Sequence, residues 1–147
     1  MIMLLFVTTM ITQNRLSHNV DYSNTALEGY SPVSYLDLGL AQLGLKEHKA
    51  TYNDIAYYFT SEGQKETFNK NPKKYMPQYG GFCSMGMFKG AKFRPDPTKF
   101  IVKDGKLFLF AYDAYLGDAK QFWFAGNDHD GYVKAADKNW MKLQSVY

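Results

Sequence analysis

Twice along this chain a two-residue turn signal sits between short runs of aromatic and β-branched residues, and this constrains the fold more than any other feature. Asp104-Gly105 separates Phe100–Lys103 from Lys106–Phe110. Asp-Gly suits a type I′ turn, in which both central residues take positive φ. Asn53-Asp54 stands in the same relation to Lys49–Tyr52 and Ile55–Thr60. Two tight antiparallel hairpins are therefore expected. Parallel strands would need helical crossovers between them. The sequence has no βαβ period, which argues against doubly wound and barrel architectures.

Helix signals fall between and after the hairpins. Ser61-Glu62-Gly63-Gln64 reads as a capping box, in which the serine hydroxyl accepts a free N–H while the glutamine reaches back to the cap. It predicts a helix from Glu62 to Asn69. Asn71-Pro72 pairs a cap residue with proline at the first helical position, predicting one more turn over Lys73–Met76 that Pro77 ends. Asp118 caps a helix running through Ala125 to Gly126, and Tyr132–Leu143 reads as a final helix. Phe82–Lys89 fits helix or strand, and Val33–Leu45 mixes helical and irregular features. The expected class is α+β: a small single domain of short antiparallel hairpins packed with several short helices.

At 147 residues the chain fits one domain, large enough to hold a core without disulfides. Cys83 is its single cysteine and has no partner within the chain. Aromatic residues reach 17%, so the core and its clefts should be lined by rings; Tyr57, Tyr58, Tyr75 and Tyr79 read as wall residues. The net charge is only +3, yet Lys65, Lys70, Lys73, Lys74, Lys89, Lys92 and Arg94 face the lone acid Glu66 between Gln64 and Arg94. Such a basic stretch attracts anions or an acidic protein partner, or forms a solvated face. No nucleic-acid reader motif accompanies it, and no nucleic-acid partner is expected.

The run Met1–Thr12 is apolar and too short to span a bilayer, but it matches the apolar stretch of a secretory signal. Neither a preceding cation nor a small-x-small cleavage site accompanies it. The alternative is an element tucked against the domain. Asn14–Thr25 is polar and aperiodic and reads as a linker. The division is thus 1–24 for leader and linker and 25–147 for the domain. Export to a periplasm or beyond the cell is the expected location, with the cytoplasm as the alternative.

Chemistry concentrates at Cys83-Ser84-Met85-Gly86-Met87. Thiolate and thioether suit soft ions such as Cu(I). On a strand all three sulfurs share a face; on a helix only Cys83 and Met87 do. His48 is a more distant candidate ligand, and zinc is the other candidate ion. Alternatively, Cys83 is a redox thiol, its thiolate favoured by nearby lysines and by backbone N–H groups that Gly80-Gly81 exposes. The plain reading of a lone cysteine is a small buried hydrophobe, and of methionine a core filler. Asn127-Asp128-His129-Asp130-Gly131 lacks the glycine and glutamate spacing of a calcium loop.

The series Tyr58-Phe59-Thr60-Ser61 through Lys74-Tyr75-Met76-Pro77-Gln78-Tyr79-Gly80-Gly81-Phe82-Cys83 resembles the YHS domain, in its small stand-alone exported form. Ala26-Leu27-Glu28-Gly29-Tyr30-Ser31-Pro32-Val33-Ser34-Tyr35 resembles the opening of that form. Asp96-Pro97, Asp104-Gly105-Lys106-Leu107 and Ala136-Asp137-Lys138-Asn139-Trp140 follow in the expected order. The resemblance implies a metal-handling relationship in one branch. There, cysteines stand at the positions matched here by Ser34, Thr60 and Gln64, none of which supplies a thiolate. The histidine of the domain's name is not evident either. What remains is Cys83, with a cleft expected near Tyr79, Gly80, Gly81 and Phe82.

The resulting expectation is a non-enzymatic YHS-type domain binding a metal ion, copper or another soft metal, or a small ligand at a site that includes Cys83, Met85 and Met87. A thiol redox protein and an interaction module docking through its lysine-rich face are the alternatives.

Overall fold

The computed structural model describes residues 15–146. The run Met1–Thr12, and with it the expected leader, lies outside them. Strands β1 (Leu45–Tyr52) and β2 (Ile55–Phe59) form the first antiparallel hairpin, in register from Tyr52↔Ile55 to Lys49↔Tyr58, with an irregularity before Lys49. Its turn residues Asn53 and Asp54 take φ of 51° and 63°, as a type I′ turn requires. Helix α1 (Glu62–Lys70) follows. Ser61 Oγ accepts the Gln64 N–H at 3.2 Å. The Gln64 side chain reaches the Thr60 N–H, at 3.1 Å, one residue before the cap.

Two 3-10 turns, Pro72–Tyr75 and Gln78–Gly81, carry the chain to α2 (Ser84–Lys89). Strands β3 (Asp96–Lys103) and β4 (Lys106–Phe110) then pair around Asp104 and Gly105, with φ of 52° and 71°. A small ribbon of β5 (Tyr112–Asp113) and β6 (Gly117–Asp118) leads into α3 (Ala119–Ala125) and α4 (His129–Leu143). Helix α4 begins at His129 rather than Tyr132 because Asp128 Oδ1 accepts the Gly131 N–H at 3.1 Å. The ambiguous stretch Val33–Leu45 contains a π-helical turn, Ser34–Leu38, closed by Gly39 at φ 68°. Helices beside local antiparallel pairs make this a small α+β domain. Among the described residues no helix is long and apolar enough to cross a membrane.

Strand β4 is the centre of the fold. Leu107 and Leu109 enter one hydrophobic cluster, with Tyr35, Ile55, Tyr57, Phe59 and Phe68. Phe108 and Phe110 enter another, with Tyr79, Met87 and Trp123. These four side chains are buried, each contributing about 1.5–3 kcal/mol relative to exposure. Three wall tyrosines, Tyr57, Tyr75 and Tyr79, are buried, while Tyr58 is half-buried. Desolvation holds the Tyr57 and Tyr79 phenols above their ordinary pKa.

The linker reading of Asn14–Thr25 is corrected from Arg15 onward. Asn19, Val20 and Thr25 are buried, and several backbone polar groups of the segment are paired with the protein. The Asn19 N–H donates to Gly80 O at 2.8 Å, and Asp21 Oδ1 accepts the Thr25 N–H at 2.9 Å. Polarity therefore does not detach this segment from the core; its hydrogen bonds are made to the protein instead of to water.

Candidate functional site

Cys83 is the N-cap of α2, with φ −58° and ψ 123°. Its N–H donates to Phe93 O at 2.9 Å. Its Sγ accepts the N–H groups of Gly86 at 3.4 Å and Ala111 at 3.1 Å. A parallel bridge to Leu109 sets it beside β4. The sulfur thus does the work a serine or aspartate usually does at a helix start, and it also anchors the residue that follows β4. With 1% of its surface exposed, it has the burial of a structural cysteine rather than the partial exposure typical of redox thiols.

Cys83 forms the buried end of a cleft of about 370 Å³. Met85 lies beside it, and Phe93, Tyr112, Leu116 and Phe122 supply apolar walls. Glycine at position 86 permits this closure: a Cβ there would come within 2.5 Å of the Phe93 ring. The β5–β6 ribbon borders the cleft. Its tip is fixed by Asp113 Oδ1, which accepts the Tyr115 and Leu116 N–H groups, each at 2.8 Å. Those bonds, with that from Leu116 the larger effect, hold the Asp113 carboxyl below its ordinary range. Leu116 nevertheless remains 78% exposed.

The expected donor set does not assemble. Cys83 caps α2, its carbonyl accepting the Met87 N–H at 2.9 Å, yet Met87 does not line the cleft that Cys83 enters. Met87 packs in the core beside Phe108 and Trp123, while Met85 shares the cleft. His48 lies on β1, paired at 3.2 Å with Glu62, whose carboxyl is lowered first by His48 and then by Lys65. Among the described residues no group of three or more His, Cys, Asp or Glu side chains could hold a metal ion. Met87 and His48 do not line the cleft that Cys83 and Met85 share, so the four candidates do not meet there.

The cleft expected at Tyr79–Phe82 is a separate one. Tyr79 and Gly80 line a space of about 320 Å³ with His18, Asp137 and Trp140, and the Tyr79 hydroxyl donates to Asp137 Oδ1 at 3.1 Å. Gly81 and Phe82 are buried and line neither cleft. The walls missed by sequence reasoning, Phe93 and Tyr112–Phe122, are far from the cysteine in the chain. The exposed apolar tip Tyr115-Leu116 was their one sequence signal.

The basic residues serve several local purposes. Lys65 pairs with Glu62 at 3.3 Å and Lys74 with Asp37 at 3.0 Å. Lys92 donates to the carbonyls of Leu16 and Val146, and burial lowers its pKa. Arg94 donates to Val20 O at 3.3 Å. Lys70 and Lys73 are exposed near the end of α1. Lys89 and Arg94 line the Cys83 cleft.

The Asn127–Gly131 stretch forms a helix cap, and His129 Nδ1 accepts the Trp123 Nε1–H at 3.0 Å. Ser34, Thr60 and Gln64 meet in space. Gln64 Nε2 donates to Ser34 Oγ at 2.9 Å, while its Oε1 accepts from the Thr60 N–H and, at 2.7 Å, from Ser31 Oγ. Against protein-family models, curated proteins and solved structures the chain has no match.

Proposed function

We propose that this chain is an exported, non-enzymatic YHS-type domain that binds a small organic ligand in the Cys83 cleft. The observation that carries this reading is the gathering of Phe93, Tyr112 and Phe122, each more than half exposed, around one concavity with a buried sulfur end. Large apolar side chains left exposed together mark a surface that gains by being covered. The volume falls within the roughly 300–1,000 Å³ of small-molecule clefts. Among the described residues no histidine lines the cleft, and Cys83 is only 1% exposed, which favours binding over nucleophilic chemistry.

The family part of the reading is supported by Ser34, Thr60 and Gln64. Positions matched to the three cysteines of the metal-handling branch should converge, and these three lie in one hydrogen-bond network. The apolar run Met1–Thr12 supports export. A second reading, a soft ion held between Cys83 and Met85, is favoured by their shared lining of the cleft.

Calorimetric titration of the full chain with naphthalene-2-carboxamide, a neutral aromatic probe, tests the leading reading. Binding should weaken about tenfold in Phe122→Ala, the loss expected for removing one apolar wall. Absence of binding, or equal affinity in the variant, would overturn it. The second reading predicts one Cu(I) retained in native mass spectrometry and lost in Cys83→Ser.

A further inference from the structure

We infer that the ligand of the Cys83 cleft is an organic anion, an apolar body ending in a carboxylate, with Lys89 as its counter-ion. The inference rests on the cleft reading above and adds the ligand's charge.

Two cations line the cleft, Lys89 and Arg94, against one carboxylate, Asp113. Neither cation has a carboxylate within ion-pair distance among the described residues. The Lys89 ammonium lies 4.9 Å from the centre of the Phe88 ring, a contact that engages one face of the ammonium and leaves further N–H donors for an anion. Arg94 uses one nitrogen on Val20 O, and its guanidinium has five N–H donors in all. Asp113 accepts two ribbon N–H groups through Oδ1, so part of its charge is already met within the ribbon.

The other clefts differ in sign. The cleft beside Tyr79 has Asp137 and no lysine or arginine. The one beside His129 sets Lys103 against Asp128 and Asp130. Only the Cys83 cleft, of these three, joins a positive surplus to aromatic walls. A cationic ligand would meet like charge there, and a small hydrated anion would leave the rings uncovered. An amphipathic anion meets both demands, because a carboxylate at Lys89 makes a charge-assisted hydrogen bond while its apolar body covers Phe93 and Phe122.

The test compares naphthalene-2-carboxylate with naphthalene-2-carboxamide by calorimetry on the full chain, in wild type, Lys89→Met and Lys89→Arg. Wild type should bind the carboxylate about tenfold more tightly than the amide. Lys89→Met should bring the two affinities within about twofold, and Lys89→Arg should restore the preference. A circular dichroism spectrum and thermal midpoint matching wild type show that the Met variant is folded. Equal binding of the two probes by wild type overturns the anion inference and leaves the cleft reading standing. A preference that survives Lys89→Met overturns the role of Lys89, and binding of neither probe overturns both readings.

Discussion

The Ala111 N–H donates to the sulfur of Cys83 across 28 positions of sequence, at 3.1 Å. This bond joins the start of α2 to the chain leaving β4, and the Gly86 N–H adds a second donor to the same sulfur. Cys83→Ala removes the acceptor and leaves two N–H groups in need of partners. It should lower unfolding free energy by about 1–2 kcal/mol in urea titration. Cys83→Ser keeps an oxygen acceptor and should lose less. Equal stability of the alanine variant and wild type would show that the sulfur caps nothing.

Gly80 stands where the segment from Arg15 crosses the body of the domain. It has φ of 59°, and a Cβ there would overlap the carbonyl oxygen of Ser17. Gly80→Ala should therefore cost about 2 kcal/mol through strain and loss of the Asn19–Gly80 hydrogen bond. It should also speed tryptic cleavage after Arg15. Cleavage at the wild-type rate would mean the segment is not held there.

Gln64 joins three other residues in the polar network under α1. Its amide serves Ser31 and Ser34, both fully buried, and Thr60. Gln64→Leu fills the volume but leaves the Thr60 N–H and the Ser31 hydroxyl proton without their acceptor, while Ser34 Oγ keeps Gln42, so a loss of about 2 kcal/mol is expected in chemical denaturation. A neutral effect would show that water replaces the amide.

His129 is held neutral by its surroundings. Burial, and then Lys103, lower its pKa from 6.5, against the smaller opposing effects of Asp130 and Asp104. As the neutral ring its Nδ1 accepts from Trp123. The unfolded chain therefore takes up a proton below about pH 6.5 that the folded chain resists. Stability contributed by this site is complete above that pH and declines as pH falls toward the depressed folded value. His129→Gln, which offers Trp123 a non-titrating acceptor, should flatten the stability profile between pH 7 and 5. An unaltered slope would remove His129 as its cause.

The hairpins and helix caps were legible because their causes are local. Asn53-Asp54 and Asp104-Gly105 adopt the positive φ their residue types tolerate, and Ser61 and Asp118 accept the N–H groups that caps accept. Strand β4 was legible as a strand, but not as a wall between two clusters. The uninterrupted apolar run Leu107–Phe110 asks for cover on both faces, but that the cover over Phe108 and Phe110 comes from Trp123 and the C-terminal helices is set by long-range packing. That Met85 and not Met87 shares the Cys83 cleft depended on a local conformation that the sequence left open between helix and strand. The aromatic half of the cleft is a product of long-range packing, which periodicity does not report.

The most direct test of the central claim is amide NMR of the full chain titrated with naphthalene-2-carboxylate. The claim predicts saturable shifts centred on Met85, Phe93, Ala111–Ala119 and Phe122, with the β1–β2 hairpin unmoved. Shifts centred on the Tyr79–Asp137 cleft, or none at all, would contradict it.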